Sequence, residues 1–290
     1  MVIARIAGGL GNQLFQYALG RSLALKNNTS LYFDLSYYQH EYATDTVRKF
    51  KLSPFNIDYR LLDTSPFLYI SKATKLLPNR TLKPFFYFLE EKHFHVDPIV
   101  LASRASFIIL DGGWQSEQYF NDCADIIRKE LTFRRKTGAL FERYEAAIAK
   151  AEIPISLHIR RGDYVSHPDF SQSFGFIGLD YYKAAIAQLT AQFSKATFFV
   201  FSDDPDWVQQ NLKLDYPHDF VVNTGADADL ADLQLMSFCH HHIIANSSFS
   251  WWGAWLNPKQ DKIVVAPARW FKNKPNWDTK DLIPANWIRL

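Results

Sequence analysis

Cysteine is scarce in this chain: only Cys123 and Cys239 occur among 290 residues. Two cysteines cannot form the multi-bridge framework of a small secreted domain, although they leave one disulfide open. A reducing compartment therefore fits this composition best. The first strand pattern begins at the N-terminus, and the apolar segment there is too short for a signal peptide or a membrane span. Neither is therefore expected.

Net charge is also nearly absent. The 32 basic and 30 acidic residues leave a formal charge of +2, so no overall field favours nucleic acid or an anionic membrane. Any anion site must therefore be formed locally. The hydrophobic content of 48% is that of a packed globular protein and excludes disorder, and the aromatic content of 16% suits either stacking on sugars or an aromatic core.

The chain opens with a β-α-β pattern, the building block of a parallel sheet. A β-branched run leads into the turn Gly8-Gly9-Leu10-Gly11, a helical pattern covers residues 12–26, and a second strand follows at residues 31–34. We place a domain boundary near Pro154, which predicts one α/β domain at residues 1–150 and a second at residues 151–290.

Strand and helix patterns alternate throughout the second half of the chain. This alternation predicts a doubly wound parallel sheet, whose ligands bind beyond the carboxyl ends of the strands. Helices are expected between the strands, one of them capped by Asp229. The predicted strands cover residues 155–160, 197–201, 220–222, 243–245 and 262–266.

The segment His158-Ile159-Arg160-Arg161-Gly162-Asp163 follows the first of these strands. Side chains alternate along a strand, so His158 and Arg160 share one face. Charged groups at the end of an apolar strand are costly to desolvate unless an anion meets them, and a guanidinium matches phosphate oxygens with a forked pair of hydrogen bonds. The motif therefore predicts a phosphate site. The alternative is an internal salt bridge from Arg160 or Arg161 to Asp163.

Two further polar clusters lie at predicted strand ends. Asn246 is followed by Ser247-Ser248-Phe249-Ser250 at the start of a helix, where free main-chain N–H groups and hydroxyls form an anion site or cap the helix. Ser202-Asp203-Asp204 follows another strand, and a carboxylate there suits a guanine edge or a ribose, with helix capping by Asp204 or Asp206 as the alternative.

A metal is not expected to be required. Asp204-Pro205-Asp206 and Asp227-Ala228-Asp229 match a metal-binding Asp-x-Asp pattern, but such triplets arise easily by chance. Two arginines and a helix terminus already offset a pyrophosphate. His240-His241-His242 suggests zinc, yet adjacent residues entering a strand point to alternate faces and cannot all face one ion.

The glycine turn at residues 8–11 is similar to the dinucleotide fingerprint, but Leu14 occupies the position of its third glycine. A nicotinamide or flavin site is therefore a poor interpretation. The turn allows close approach of a ligand to the backbone, with Asn12 and Gln13 at the start of the helix. The alternative is a tight turn without a ligand.

Taken together, four segments resemble the α-1,2-fucosyltransferases of glycosyltransferase family 11. They are spread in the expected order over nearly the whole chain, and the second is shared more widely with α-1,6- and protein O-fucosyltransferases. The segments are GGLGNQLFQYALG, HIRRGDY, FSDD and ANSSFSWWGAWLN.

The resemblance implies an α/β, GT-B-like fold, with two Rossmann-like domains facing across a cleft. Residues 1–150 would be the acceptor side and residues 151–290 would bind the GDP-sugar. It implies an inverting, metal-independent transfer of L-fucose from GDP-β-L-fucose to the 2-hydroxyl of a terminal galactose, with no cofactor. The chain is similar to bacterial, cytoplasmic members that build surface polysaccharide. A basic, aromatic stretch between residues 40 and 100 leaves peripheral contact with the inner membrane as an alternative, without stable insertion.

The same resemblance assigns roles to the candidate residues. Arg160 would hold the diphosphate, and Asp163, or else Glu117, would accept the proton of the attacking hydroxyl. Trp114 would pack on the acceptor. The expected donor-binding residues are Asn12, Gln13, His158, Arg160, Ser202, Asp203, Asn246, Ser247, Ser248, Phe249 and Ser250.

Two other functions remain as alternatives. One is a different GDP-fucose-dependent transferase that acts on a 6-hydroxyl or on a peptide. The other is a non-catalytic carbohydrate-binding protein that uses its tryptophans. Neither alternative involves nucleic acid as a partner.

Overall fold

The computed structural model describes residues 1–39, 48–62, 81–82, 85–132, 138–274 and 277–290. The chain forms two compact units: Met1–Arg135 with Asp278–Pro284, and Lys136–Trp277 with Ala285–Leu290. The helix that precedes Pro154 belongs to the second unit, whereas the sequence-based division assigned it to the first. Much of the basic, aromatic stretch, at residues 63–80, lies outside the described residues. Among the described helices, none is both long and apolar enough to cross a membrane.

The described strands of the first unit form one sheet in the order β3-β2-β1-β6-β5-β4. Val2 on the central strand pairs in parallel with Leu31 on one side and Ile108 on the other. The β4–β5 pair is antiparallel and the remaining pairs are parallel. The strands are β1 (Val2–Arg5), β2 (Leu31–Asp34), β3 (Arg60–Leu61), β4 (Thr81–Leu82), β5 (Phe86–Glu90) and β6 (Phe107–Asp111).

Helix α1 (Leu10–Lys26) connects β1 to β2 as the sequence pattern predicts. Gly20 lets it lie directly on the sheet, because a Cβ at this position would be only 2.8 Å from Leu31 Cδ1. Most of its length is buried, so the helix forms part of the core of the unit. The other described helices of this unit are α2 (Pro98–Leu101) and α3 (Ala124–Glu130), with 3-10 turns at Ser36–Gln39, Glu117–Tyr119 and Asn121–Cys123.

The second unit contains a sheet whose described strand pairs are all parallel, in the order β12-β11-β10-β7-β8-β9. The alternating pattern of the sequence is thereby confirmed, with the strand ends shifted by about two residues. The strands are β7 (Ile153–Ile159), β8 (Ala196–Ser202), β9 (His218–Phe220), β10 (His241–Ile243), β11 (Val264–Ala266) and β12 (Ile288–Arg289).

Helices connect these strands, as parallel pairing requires. The helix expected to be capped by Asp229 begins at Ala228, so Asp229 lies inside its first turn and the capping assignment is wrong. The described helices are α4 (Ala139–Lys150), α5 (Gly162–Ser166), α6 (Pro168–Ser173), α7 (Leu179–Thr190), α8 (Pro205–Asn211), α9 (Ala228–Phe238) and α10 (Ser248–Leu256).

Candidate active site

The register of the second sheet brings the predicted clusters together at one edge. Leu157 on β7 is opposite Ile243 on β10, and Ile159 on β7 is opposite Ser202 on β8. Arg160 directly follows β7, and Asn246 comes three residues after the end of β10. The ends of β7, β8 and β10 therefore deliver the arginine motif, the aspartate pair and the serine turn to neighbouring positions.

Arg160 is held by two carboxylates. Its Nη2 donates to Asp163 Oδ2 at 2.6 Å, and its Nε lies 3.4 Å from Asp203 Oδ2. Burial alone would lower the pKa of Arg160, but the charges of Asp203 and Asp163 outweigh it and raise the pKa above its usual value. The salt bridge to Asp163, considered as the alternative to a phosphate site, is therefore present in this structure.

Arg161 is paired as well. Its Nη1 donates to Asp204, and its guanidinium lies 4.3 Å from the centre of the Trp207 ring. The main-chain N–H of Asp204 donates to Ser202 Oγ at 3.0 Å. Asp204 and Ser202 thus organise this loop and fix the second arginine against an aromatic face.

Asp203 contacts the main chain of the arginine motif. Its Oδ1 accepts the main-chain N–H of Arg161 at 2.9 Å. A Cβ at position 162 would lie 2.5 Å from Asp203 Oδ2, so glycine at this position allows the Asp203 carboxylate to lie against the main chain. The carboxylate expected to contact a guanine edge or a ribose is directed at the protein's own arginine loop.

Tyr164 links the arginine motif to the serine turn. The Arg160 guanidinium lies 5.5 Å from the centre of the Tyr164 ring, and the Tyr164 hydroxyl donates to the Asn246 carbonyl at 3.0 Å. The side-chain amide of Asn246 donates to the carbonyls of Phe174, Gly175 and Trp270, at 3.4, 3.3 and 3.1 Å. Asn246 therefore ties three loops together around the site.

The serine turn forms the N-terminus of α10. Ser247 is extended and its hydroxyl makes no capping hydrogen bond, while Ser250 Oγ donates to the Ser247 carbonyl at 3.3 Å. Ser248 and Phe249 begin the helix, and the Phe249 ring lies 5.6 Å from the His158 ring. The positive end of the helix dipole is thereby placed beside the end of β7.

His158 is buried and uncharged at neutral pH. Burial and, to a lesser extent, the charge of Arg160 lower its pKa to about 3. A neutral imidazole donates or accepts hydrogen bonds but adds no positive charge for a phosphate. Any role of His158 toward a ligand is thus limited to hydrogen bonding.

In the first unit, Gln13 is an internal brace of the glycine turn. It is 0% exposed. Its Nε2 donates to the carbonyls of Gly8 and Lys49 at 3.0 and 2.9 Å, and its Oε1 accepts the N–H of Lys51 at 2.9 Å. Its amide is occupied by the protein in this structure, and contact of Gln13 with a donor stays a prediction.

We expect Gln13→Ala to lower the free energy of unfolding by about 2 to 4 kcal/mol, because it leaves buried main-chain groups without partners. Chemical denaturation measures this change. Gln192→Ala, at an exposed position, is the matched control and should change stability by less than about 0.5 kcal/mol. A fully stable Gln13→Ala protein that had lost only ligand affinity would contradict the bracing role.

The loop that follows β6 is held by buried polar contacts. Glu91 accepts the main-chain N–H groups of Gly113 and Trp114 at 2.7 and 2.9 Å. Gln115 Nε2 donates to Asn12 Oδ1 at 3.0 Å, which connects this loop to the glycine turn. Glu117 begins the 3-10 turn that ends the loop.

Trp114 does not offer a face to a sugar in this structure. Its side chain is 1% exposed and packs edge-on against Tyr119, with ring centres 5.7 Å apart. Its φ of 55° is unusual for a residue other than glycine. The ring supports the loop from inside, and packing of Trp114 on an acceptor stays a prediction.

The three consecutive histidines have separate partners, as the strand geometry predicts. His240 Nε2 lies 3.0 Å from Asp261, His241 Nδ1 accepts the N–H of Ile263, and His242 lies between Ser156 Oγ and Asn257 Nδ2 at 2.7 and 2.9 Å. Within the described residues, no cluster of three or more histidine, cysteine or acidic side chains is arranged to hold a metal.

Two charged features of the structure were not predicted from the sequence. At the carboxyl ends of the first sheet, Arg5 bridges Asp34 at 3.4 Å and Asp111 at 2.5 Å. In the second unit, Asp232 is partly buried on α9 and accepts a hydrogen bond from Asn223 at 2.6 Å. The sequence signal for this feature was a single acidic residue, Asp232, within the mainly apolar residues 230–236.

Asp232 should make stability depend on pH. Burial raises its pKa to about 7, from 3.8 in the unfolded chain, so between these values the folded state binds the additional proton. The stability contribution of Asp232 is therefore largest below pH 4 and falls as the pH rises toward 7.

Denaturation of the wild-type protein and of Asp232→Asn at pH 4.5 and pH 7.5 tests this dependence. The difference between the two proteins should change by about 2 to 4 kcal/mol in favour of the variant at the higher pH. Taking the difference between the proteins cancels the contributions of the buried histidines, which have the opposite sign. An identical difference at both pH values would exclude a perturbed Asp232.

Comparison with known proteins identifies the family. The sequence profile of glycosyl transferase family 11 matches residues 1–290. The chain belongs to glycosyltransferase family 11. As a member of this family, the protein is a glycosyltransferase with a nucleotide-sugar donor and a glycan acceptor. The resemblance of the four sequence segments to this family is confirmed.

Named relatives of this family 11 protein differ in their reported activities. An α-1,2-colitosyltransferase of Escherichia coli is 33% identical over 100% of this chain and 99% of its own length. The O-antigen biosynthesis glycosyltransferase WbnK of E. coli is also 33% identical, over 98% of this chain and 99% of its own. A galactoside 2-α-L-fucosyltransferase of Caenorhabditis elegans is 22% identical over 97% of this chain and 77% of its own.

Solved structures show the same fold. A FUT1 mutant of Arabidopsis thaliana in complex with GDP matches with a TM-score of 0.52 at 14% identity, over 88% of this chain and 68% of that chain. The fucosyltransferase NodZ from Bradyrhizobium matches with a TM-score of 0.50 at 17% identity, over 89% and 92%. The predicted GT-B-like α/β class, with two Rossmann-like sheets, is confirmed.

Proposed function

We propose that this protein transfers L-fucose from GDP-β-L-fucose to the 2-hydroxyl of a terminal galactose, with inversion and without a metal. The observation that supports this function best is the meeting of Arg160 with the Asn246–Ser250 turn through Tyr164. A guanidinium and a helix N-terminus at one sheet edge are the groups that a diphosphate leaving group needs.

In the proposed reaction, Arg160 and the N–H groups at the start of α10 stabilise charge that grows on the β-phosphate as the sugar–oxygen bond breaks. The fucosyl ring becomes oxocarbenium-like, and the galactose hydroxyl attacks from the opposite face. Asp163 is the first candidate to accept the proton of that hydroxyl, and Glu117 is the second. His158 and Asn246 order the surrounding loops and the nucleotide.

The 33% identity to an α-1,2-colitosyltransferase supports GDP-colitose as an alternative donor. Colitose is fucose without its 3-hydroxyl. A site that hydrogen-bonds this hydroxyl rejects the deoxy sugar by a large factor, whereas a site lined by apolar groups discriminates only weakly. The ratio of kcat/KM for the two donors therefore separates the two functions.

A panel of nucleotide sugars, assayed with galactose-terminated acceptors in the presence of EDTA, tests donor choice and metal independence together. We expect turnover of GDP-fucose that EDTA does not diminish, and a product in which linkage analysis finds an α-1,2 bond. A 6-linked or peptide-linked product would assign the protein to a different fucosyl transfer. Absence of both GDP binding and turnover would favour a carbohydrate-binding protein.

A further inference from the structure

The arginine motif is crowded with negative charge. Two guanidinium groups, Arg160 and Arg161, face three carboxylates, Asp163, Asp203 and Asp204. A diphosphate is itself multiply charged, and adding it to this group would bring like charges together. We therefore expect one of these carboxylates to withdraw from Arg160 when a GDP-sugar binds.

Asp203 is the carboxylate that main-chain contacts hold in place. It accepts the Arg161 main-chain N–H at 2.9 Å and is packed so closely against Gly162 that a Cβ would be 2.5 Å from its Oδ2. It meets Arg160 at Nε, close to the aliphatic stem of the side chain. Moving Asp203 would disrupt the main chain of the motif itself.

Asp163 is placed differently. It accepts a short, charge-assisted hydrogen bond of 2.6 Å from the terminal Nη2 of Arg160, and the terminal nitrogens of a guanidinium are the groups that bind phosphate oxygens. It lies in the short helix α5, three residues after Arg160. Among the described residues, Asp163 is the hydrogen-bond partner of the terminal nitrogens of Arg160.

We propose that Asp163 occupies the place of a donor phosphate oxygen and is displaced from Arg160 when the diphosphate binds, while Asp203 keeps the guanidinium in position. This inference rests on the proposed function. Asp163 then competes with the donor for Arg160. Its carboxylate becomes available to accept the acceptor's proton only after the donor has bound, so that proton transfer depends on the presence of the donor.

Opposite effects of the two carboxylates on GDP affinity test the proposal. Calorimetric titration of GDP, with EDTA present, compares the wild-type protein with Asp163→Asn and Asp203→Asn. Asp163→Asn should bind GDP about 5- to 20-fold more tightly, because a charge-assisted competitor is removed, and Asp203→Asn about 10-fold more weakly. Glu152→Gln, which removes the carboxylate from the exposed Lys195 pair, is the control and should stay within about twofold.

Steady-state kinetics provide a second measurement that loss of structure would not reproduce. Asp163→Asn should lower both KM for GDP-fucose and kcat, whereas a partly unfolded protein shows a lower apparent kcat with an unchanged KM. Melting temperatures establish that each variant is folded, and Asp163→Ser serves as a second variant if the asparagine form does not fold. Weaker or unchanged GDP binding by a folded Asp163 variant overturns this inference alone. A wild-type protein without affinity for GDP overturns the proposed donor and the inference together.

Discussion

Replacement of Arg160 by lysine should lower kcat/KM for sugar transfer by about 100- to 1000-fold, while the free energy of unfolding falls by no more than about 1 kcal/mol. The guanidinium meets Asp203 through Nε and Asp163 through the terminal Nη2, the nitrogen that we assign to a phosphate oxygen once the donor displaces Asp163. A lysine ammonium is a single point that cannot hold both positions at once. Steady-state assays with GDP-fucose and thermal or chemical denaturation measure the two effects separately.

The control for this substitution is Arg143→Lys, at an exposed arginine that lies 5.2 Å from the ring of Tyr144. It should leave both activity and stability nearly unchanged. If Arg160→Lys were active but less stable, Arg160 would be only the centre of an internal ion-pair network. Its role would then be limited to its ion pairs with the two carboxylates, and the proposed phosphate role would be refuted.

The second large effect is expected at Trp251. Its side chain is 0% exposed and contacts the rings of Trp252, Trp255 and Trp287, with centres 5.2, 6.1 and 5.5 Å apart. Trp251→Ala should therefore lower the free energy of unfolding by about 3 to 5 kcal/mol, because it removes a large buried surface and leaves a cavity. Chemical denaturation checks this value.

Trp277→Ala is the matched control, since Trp277 is 40% exposed. It should cost less than about 1 kcal/mol. The comparison separates two interpretations of the tryptophan-rich segment, a core and a sugar-binding surface. A stable Trp251→Ala protein with reduced acceptor affinity would support the surface interpretation and contradict the buried packing.

The family motifs thus combine packing with chemistry. In the segment after β10, Asn246 and the serines form the turn at the site edge, whereas the tryptophans that follow Ser250 directly are core. Asn246 joins three loops through one amide, and Gln13 braces the glycine turn in the same way. Residues that a motif marks as functional therefore include braces that never need to touch a ligand.

The alternating sheet of the second unit was evident from the sequence, because strand and helix periods are local properties of the chain. The same holds for the placement of Arg160, Asp203 and Asn246 at strand ends, since parallel strands bring their carboxyl ends to one edge. These features depend on residues close to one another in sequence.

Only the tertiary structure decided which partner each polar group has. Arg161 meets Asp203 across 42 positions of the chain, and Gln13 meets Lys51 across 38. The main-chain N–H of Trp114 likewise meets Glu91 across 23 positions. Such contacts follow from strand register and loop closure between distant segments, and periodicity within one segment contains no information about them.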